Sequence, residues 1–297
     1  MAETCPTTGI ERLLLSTDGS EYSEGAVREA ITLAKRCSSK LTIVSVIETN
    51  PQFEALAPEV VEKSEKAMRK HLEAVQKRAV LEGVDCGIIV HRGEDTYQYI
   101  VDEAVRNKSS MIVMGKRGRT GIKRLMMGSV AARVIGHSPC NVLVVPHEAR
   151  VEFKNIVLAV DGSRYSAAAA IEAINTAKRN KSMLIIVAVV LSESIPPMDI
   201  AFSQTQRDLV ADKELKESEE NVKAVKAAAQ KEGVSVTGLI LGGTPYEAIV
   251  DIAKEKNADL IVLGSHGKTG LEKLLMGSVA ERVIVLSTCA VLVVKTV

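Results

Sequence analysis

Short apolar runs alternate along this chain with longer segments in which apolar residues recur every three or four positions. Arg12–Thr17 and Leu41–Ile47 are apolar runs of strand length, and the second is rich in β-branched side chains. Between them, Ser20–Arg36 has apolar residues at helical spacing, among them Ala26 and Ala30. The pattern predicts that the chain begins with a strand, a helix and a second strand.

The alternation continues through the first half of the chain. It predicts, in order, a helix over Glu59–Glu82, a strand over Val84–His91, a helix over Asp95–Asn107, a strand over Ser110–Met114, a helix over Ser129–Gly136 and a strand over Asn141–Val145. Strands that alternate with helices form parallel sheets through right-handed crossovers, with helices on both faces. The predicted fold is an open, five-stranded, mainly parallel α/β sheet of the Rossmann-like type. Such sheets bind ligands beyond the carboxyl ends of their strands.

The second half of the chain repeats the first. The sequence Gly-Lys-Arg-Gly-Arg-Thr-Gly at residues 115–121 returns as Gly-Ser-His-Gly-Lys-Thr-Gly at residues 264–270, and 13 of the 21 positions from 115 to 135 are identical 149 residues later. Asp-Gly-Ser at residues 18–20 returns after 143 residues, so the second copy has a net insertion of 149 − 143 = 6 residues, expected around 192–205. The chain is predicted to be a duplication, with domains at residues 1–148 and 149–297.

Composition and charge exclude several classes of protein. The 38 Lys and Arg residues balance 37 Asp and Glu residues, which gives no electrostatic reason to expect nucleic-acid binding. The longest apolar run, Leu184–Leu191, has the length of a strand and is far shorter than the ~20 residues that span a bilayer. The 5 cysteines are widely spaced, and their odd number argues against a disulfide framework. We expect a cytoplasmic protein with neither membrane nor nucleic acid as a partner.

The loop after the fourth predicted strand of each copy has the composition of a phosphate site. It reads Gly115-x2-Gly118-x9-Gly128-Ser129 in the first copy and Gly264-x2-Gly267-x9-Gly277-Ser278 in the second. Glycine lets the backbone approach a ligand closely, and the helix that follows offers free N–H groups to an anion. The serines are placed either to cap that helix or to donate a hydroxyl to a phosphate. Plain turn glycines are the alternative, which the recurrence of the full spacing disfavours.

Two better-known phosphate motifs do not fit these loops. A P-loop that ended at Gly267-Lys268-Thr269 would need a glycine at position 262, which is valine. The turns after the first strands of the two copies are Asp-Gly-Ser and lack the glycine pattern of dinucleotide-binding domains. The histidines and cysteines have no metal-ligand spacing, so no metal site built from side chains is predicted.

Three features together resemble the universal stress protein family. They are Gly-x2-Gly-x9-Gly-Ser after the fourth strand, an aspartate that closes the first strand, and a last strand that reads Ser-Pro-Cys-x-Val-Leu-Val-Val at residues 138–145. The resemblance covers nearly the whole chain as two tandem domains, and the glycine pattern is that of the ATP-binding branch. It implies an adenine nucleotide alpha hydrolase-like fold and an ATP-binding regulatory protein of the stress response.

The resemblance also implies a set of binding residues in each copy. The ends of the first two strands would contact the nucleoside, and the glycine loop would wrap around the ribose and phosphates. In the first copy these residues are Ser16, Thr17, Asp18, Val46, Gly115, Gly118, Arg119, Gly128, Ser129 and Val130. In the second copy they are Ala159, Val160, Asp161, Val189, Gly264, His266, Gly267, Gly277, Ser278 and Val279. A turn-forming role for the aspartates and plain strand packing for Val46 and Val189 stay open.

The two glycine loops differ in charge. The first carries Lys116, Arg117 and Arg119, a denser positive charge than that of the second, which carries Lys268. The basic residues of the first loop either strengthen polyphosphate binding or form a solvated surface. The hypothesis that follows is that the two sites differ in affinity.

The expected cofactor is ATP with Mg²⁺ or Mn²⁺, because a triphosphate in a neutral loop needs a cation to offset its charge. The sequence shows no general base or arginine finger beside the loop, so slow hydrolysis or none is expected. A weak ATPase and a nucleotide-free interaction scaffold are the alternatives. The resemblance further implies that the last strands, Asn141–Val145 and Ala290–Lys295, pair within the chain as a pseudo-dimer, and a homodimer stays open.

Overall fold

The structure, a computed structural model, describes residues 5–7, 9–118, 127–190, 204–268 and 276–296, with the side chains of residues 204–211 excepted. Within these residues, no helix combines the length and the apolar character that a bilayer crossing needs.

The first repeat follows the predicted order of elements with two additions. Its strands are β1 (Arg12–Ser16), β2 (Lys40–Glu48), β3 (Cys86–Gly93), β4 (Met111–Gly115) and β5 (Asn141–Val145), and its helices are α1 (Glu24–Cys37), α2 (Pro51–Leu56), α3 (Pro58–Leu81), α4 (Thr96–Arg106) and α5 (Ser129–His137). A 3-10 turn at Glu21–Ser23 precedes α1, and α2 was not predicted. Pro51 and Pro58 each begin a helix, at a position where a missing N–H costs nothing. Helix α3 corresponds to the predicted helix over Glu59–Glu82, and α2 lies in a segment for which no element was predicted.

The second repeat has the same order without a counterpart of α2 among its described residues. Its strands are β6 (Asn155–Ala159), β7 (Met183–Val190), β8 (Ser235–Gly242), β9 (Leu260–Gly264) and β10 (Ala290–Val294), and its helices are α6 (Arg164–Asn180), α7 (Gln204–Lys231), α8 (Pro245–Glu255) and α9 (Ser278–Leu286). Most of the expected insertion at 192–205 lies outside the described residues.

The ten strands form one continuous sheet in two halves. The strand order is β3-β2-β1-β4-β5-β10-β9-β6-β7-β8. Every pair is parallel except β5 with β10, which is antiparallel and sets Leu143 opposite Leu292. The predicted pairing of the two last strands is confirmed. We call the antiparallel pair of β5 and β10 the seam. Because the strands run in opposite directions on its two sides, the carboxyl edges of the two half-sheets lie at opposite ends of the sheet, and each half keeps its own ligand-binding edge.

Helices cover both faces of the sheet. Strands β4 and β10, near the seam, are almost entirely buried, as their unbroken apolar sequences require. One apolar layer packs under α1, α3 and α6, and the other under α4, α5, α8 and α9. The outermost strands, β3 and β8, are mostly half-buried.

The segment that joins the repeats packs on helix α1. A Cβ on Gly25 would collide with the carbonyl oxygen of Pro146, so only glycine lets the segment pass this closely. Farther along, Oε2 of Glu29 accepts from the N–H of Val151 at 3.3 Å. Asp259, directly before β9, accepts from the N–H groups of Phe153, Lys154 and Asn155 at 2.7, 2.8 and 3.2 Å. Hydrogen bonds from both repeats therefore fix the connecting segment.

One expectation about the cysteines is wrong. Cys5 and Cys37 form a disulfide that attaches the N-terminal segment to the end of α1, although 32 residues separate them in sequence. Cys86, Cys140 and Cys289 are free thiols. An odd number of cysteines is compatible with one bridge, and the sequence could not show that the N-terminal segment returns to α1.

Candidate functional site

Each repeat places an aspartate at the carboxyl edge of the sheet, just after β1 or β6. Oδ1 of Asp18 accepts from the N–H of Ser20 at 3.0 Å and from its hydroxyl at 2.7 Å. Oδ1 of Asp161 accepts from the N–H of Ser163 at 2.9 Å. One oxygen of each carboxylate therefore forms the turn that leads into the next helix.

The other carboxylate oxygen faces the glycine loop. Oδ2 of Asp161 accepts from the backbone N–H of Lys268 at 3.0 Å. A Cβ on Gly267 would lie 2.8 Å from this oxygen, and a Cβ on Gly118 would lie 2.7 Å from Oδ2 of Asp18. The middle glycine of each motif is needed because a carboxylate occupies the space of a side chain.

The first glycine of each motif makes room for a helix. Gly264 ends β9, and a Cβ there would lie 2.7 Å from the carbonyl carbon of Tyr165 in the first turn of α6. Gly115 ends β4, and its Cβ would lie 3.0 Å from the carbonyl oxygen of Tyr22. The strand end and the turn after the aspartate are thus held close together.

The third glycine closes the loop and begins a helix. The N–H of Gly128 donates to the carbonyl of Lys116 at 3.1 Å, and the N–H of Gly277 donates to that of Ser265 at 2.8 Å. Both glycines are the N-caps of their helices, α5 and α9, in extended backbone conformation. The residues between these closures, 119–126 and 269–275, lie outside the described residues, and the predicted site residue Arg119 is among them.

The interpretation of Ser129 and Ser278 as helix caps is wrong. Each serine is the first residue of its helix, the preceding glycine is the cap, and neither helix start has a side-chain cap among the residues that the structure describes. Both serines are exposed. The N–H groups at the start of α5 and α9 are therefore left for an anion, with the positive end of the helix dipole behind them.

In the second repeat, the predicted residues line one cavity of about 410 Å³. Its wall contains all ten of them, namely Ala159, Val160, Asp161, Val189, Gly264, His266, Gly267, Gly277, Ser278 and Val279. Val187 and Ile249 add apolar surface to the wall, and Ser278 and Val279 bring the start of α9 into it. The volume lies within the range of about 300–1,000 Å³ that small-molecule sites occupy. The cavity therefore combines apolar surface with a helix start that can receive an anion.

The first repeat sets the corresponding residues at the ends of β1, β2 and β4 and at the start of α5. Ser16, Asp18 and Val46 are half-buried at that edge. Thr17 is buried, and its hydroxyl lies 2.8 Å from that of Ser23, so its side chain stabilises the turn. Val46, like Val189 and like Val130 and Val279 on the two helices, packs against the core while keeping part of its surface exposed.

The structure corrects the expectation that Lys116 adds charge beside a phosphate. Its Nζ donates to the carbonyls of Val285 and Ser287, at 3.1 and 2.9 Å, at the end of α9 in the other repeat. Burial, with repulsion from Arg117, lowers the pKa of Lys116 to about 8. In the second loop, Nζ of Lys268 instead pairs with Glu217 of α7 at 3.0 Å.

His266 of the second glycine loop also carries a titratable side chain. Its Nδ1 lies 3.2 Å from the hydroxyl of Ser265, and its ring centroid is 5.1 Å from that of Tyr165. Among the described residues, no cluster of three or more His, Cys, Asp or Glu side chains is arranged to hold a metal ion.

Some wall residues were not predicted from the sequence. Glu214 and Ser218 of α7 and Pro245 and Ile249 of α8 also line the cavity. The two residues of α8 could have been expected, because this helix begins directly after the carboxyl end of β8. Nothing in the sequence of α7 indicated Glu214 or Ser218, since their position depends on how this long helix packs.

A sequence model described as the universal stress protein family matches residues 9–146 and 152–295, nearly the whole chain in two segments. The chain belongs to the universal stress protein family. Its two repeats are two family domains in tandem.

Individual relatives agree with this assignment. A universal stress protein of Methanocaldococcus jannaschii is 42% identical over 143 residues, which cover 48% of this chain and 82% of the relative. One from Mycolicibacterium smegmatis is 28% identical over 304 residues, covering 95% of this chain and 96% of the relative. The crystal structure of a universal stress protein from Archaeoglobus fulgidus has the same fold, with a TM-score of 0.74, 22% identity and 98% coverage of both chains. The family also includes a universal stress protein solved in complex with cAMP.

Proposed function

We propose that this universal stress protein belongs to the ATP-binding branch, binds one adenine nucleotide in each repeat, and acts as a regulatory protein of the stress response that hydrolyses ATP slowly or not at all. The observation that carries the proposal is that all ten residues predicted for the second repeat line one cavity. Residues from the ends of β6, β7 and β9 and from the start of α9 are distant in sequence and meet in its wall.

The wall chemistry fits the parts of an adenine nucleotide. Ala159 and Val189 provide an apolar surface for a purine ring, and Asp161 lies where its carboxylate can accept from ribose hydroxyls. The first turn of α9 and the backbone of Gly267 and Gly277 offer N–H donors to the phosphates. Mg²⁺ or Mn²⁺ would arrive with the nucleotide and supply charge neutralisation along the triphosphate.

The first repeat has the same frame, with Asp18, Gly115, Gly118 and Gly128 in corresponding positions. We propose that it holds a second nucleotide, with Val46 and Val130 beside the base and phosphates and Arg119 in the loop. The carboxyl edges of the two half-sheets lie at opposite ends of the sheet, so the two nucleotides would bind apart.

The experiment that tests the proposal is identification of the nucleotide that freshly purified protein releases on denaturation. About two equivalents of adenine nucleotide per chain are expected, with an ATP-to-ADP ratio that stays constant for hours. Steady conversion to ADP would instead favour a weak ATPase. No released nucleotide, together with no heat of binding when ATP and Mg²⁺ are added, would leave an interaction scaffold.

Two matched variants assign each equivalent to its site. Ser129→Glu and Ser278→Glu put a carboxylate at the first position of α5 or α9, where it occupies the anion position and favours the helix. Each variant is expected to lose one of the two equivalents of ATP in calorimetric titration while keeping the other. Retention of both equivalents in both variants would contradict binding at the helix starts. AMP and cAMP, titrated in parallel, measure how much of the affinity the polyphosphate supplies.

A further inference from the structure

The far ends of helices α5 and α9 are hydrogen-bonded by lysines from the opposite repeat. Nζ of Lys116, in the first glycine loop, donates to the carbonyls of Val285 and Ser287 at the end of α9. Nζ of Lys295, directly after β10, donates to the carbonyls of Ile135 and Gly136 at the end of α5, at 2.8 and 3.2 Å. These are the two helices whose first turns face the proposed phosphate positions.

Three of the four residues whose carbonyls accept from the lysines are buried, which gives the lysines a structural role. Val285 and Ser287 are 8% and 1% exposed and Ile135 is fully buried, whereas Gly136 is half-buried. The last carbonyls of a helix have no partner within the helix, and a buried carbonyl without a partner is costly. A cation at this position also has a favourable interaction with the negative end of the helix dipole.

Each helix is short enough for its two ends to act together. α9 and α5 have 9 residues each, so at 1.5 Å per residue the lysine and the phosphate position are only about 13 Å apart along the axis. A hydrogen-bonded ammonium at one end fixes the direction of the helix and polarises its chain of hydrogen bonds toward the other end. The opposite repeat therefore helps to orient the N–H groups of each proposed site.

Lys116 differs from Lys295 because it belongs to a glycine loop itself. Its backbone carbonyl accepts from the N–H of Gly128, the N-cap of α5, while its side chain reaches α9. The corresponding residue of the second loop is Ser265, whose carbonyl accepts from Gly277 and whose side chain cannot span the interface. A single residue thus contacts the start of one site helix and the end of the other.

We propose that Lys116 is a positioning residue for the nucleotide site of the second repeat and couples the two sites across the antiparallel seam. The proposal rests on the proposed nucleotide binding. A nucleotide bound beside Lys116 in the first repeat would favour the contact of its side chain with α9 and so favour binding in the second repeat, and the coupling is reciprocal by thermodynamic linkage.

The test measures second-site affinity alone, by titrating ATP with Mg²⁺ into Ser129→Glu protein. Adding Lys116→Met should weaken binding roughly threefold, the effect expected for loss of a charge at a helix end. Lys116→Arg should restore most of the affinity, because a guanidinium also donates to carbonyls. In Ser278→Glu protein, where only the first site binds, Lys116→Met should change the affinity less than twofold.

Lys295→Met is the mirror-image variant. It should weaken the first site, measured in Ser278→Glu protein, and leave the second unchanged. The proposal would be overturned if Lys116→Met lowered the ATP affinity of the first site only, the site whose glycine loop contains Lys116. An unchanged second-site affinity in Lys116→Met together with an unchanged first-site affinity in Lys295→Met would also overturn it.

A readout without nucleotide separates this proposal from the proposed function. Amide hydrogen exchange of the wild-type protein and of Lys116→Met should show faster exchange over 282–287 in the variant and no change over 129–134. If the protein binds no ATP but exchange in α9 responds as expected, the proposed function fails and the contact of Lys116 with α9 stands. If exchange in α9 is unchanged, Lys116 does not position the helix.

Discussion

The glycine loops of the two repeats close in the same way but direct their lysines to different partners. In both, the last glycine donates to the carbonyl of the residue after the first glycine. Lys116 of the first loop then crosses the seam to α9, whereas Lys268 of the second loop pairs with Glu217 within its own repeat. In the same backbone frame, Lys116 therefore contacts the other repeat, whereas Lys268 contacts a helix of its own repeat.

The different partners of the two lysines change the expected positive charge beside each proposed phosphate position. The sequence of the first loop has more basic residues. The ammonium of Lys116, however, donates to carbonyl oxygens at the end of α9, whereas the proposed phosphate positions lie at the starts of α5 and α9. A denser basic sequence is therefore not by itself a reason for tighter phosphate binding in the first repeat. Whether the two sites differ in affinity stays a prediction.

The largest expected effect comes from the middle glycines. Gly118→Val and Gly267→Val should each displace the aspartate carboxylate that lies within 2.7 or 2.8 Å of the new Cβ. Loss of a hydrogen bond to a charged group costs about 1.5–3 kcal/mol, so ATP affinity should fall roughly tenfold to a hundredfold at the altered site only. Calorimetric titration of the two variants checks this, and an equal loss at both sites in either variant would show that the loops are not independent frames.

A smaller effect, on stability, is expected at Gly25, where the connecting segment packs on helix α1 of the first repeat. Gly25→Ala should lower the free energy of unfolding by about 1–3 kcal/mol, because its Cβ meets the backbone of the connecting segment and not a movable side chain. The corresponding position of the second repeat already holds an alanine, Ala168, which is half-buried. Urea unfolding measures both Gly25→Ala and the control Ala168→Gly, which should lose only about 1 kcal/mol through helix propensity. A neutral Gly25→Ala would mean that the segment moves freely.

Raising the pH should affect stability and affinity in opposite directions. Burial, with repulsion from Arg117, lowers the pKa of Lys116 from 10.5 to about 8, and Cys289 acts in the other direction. Between these values the unfolded chain binds a proton that the folded chain has lost, so the free energy of unfolding of the wild type should rise relative to Lys116→Met. The rise should be at most about 1.4 kcal/mol per pH unit.

Over the same pH range, the second-site affinity of Ser129→Glu protein should fall, because α9 loses its cation. Urea unfolding and titrations at pH 7, 8 and 9 check both directions. A difference between wild type and Lys116→Met that does not change with pH above 8 would mean that Lys116 keeps its ordinary pKa.

The smallest effect is expected for the ion pair within the second repeat. Glu217→Gln releases Lys268, which lies beside Gly267, and should strengthen ATP binding at the second site by about twofold or less. The two side chains are 44% and 50% exposed, and exposed pairs of this kind contribute little. The gain should disappear at high salt. Weaker binding in Glu217→Gln would instead indicate that the pair holds the loop in its binding geometry.

Much of this protein could be predicted from its sequence. The periods of the apolar pattern, two for strands and about 3.6 for helices, are local properties, so nearly all elements were found with ends shifted by one or two residues. Helix α2 was missed because its six residues, none of them buried, are too few to show a helical apolar period. The duplication and the glycine spacing could also be predicted, because a repeated motif is a property of the sequence alone.

The tertiary structure decided which side chains meet. The ten predicted residues of the second site come from four segments, and only the parallel strand order brings their ends to one edge. The disulfide of Cys5 and Cys37, the path of the connecting segment over Gly25 and the reach of Lys116 to α9 all depend on contacts between residues far apart in sequence. Local periodicity carries no information about such contacts, because their free energy arises only when distant segments of the chain pack together in the folded protein.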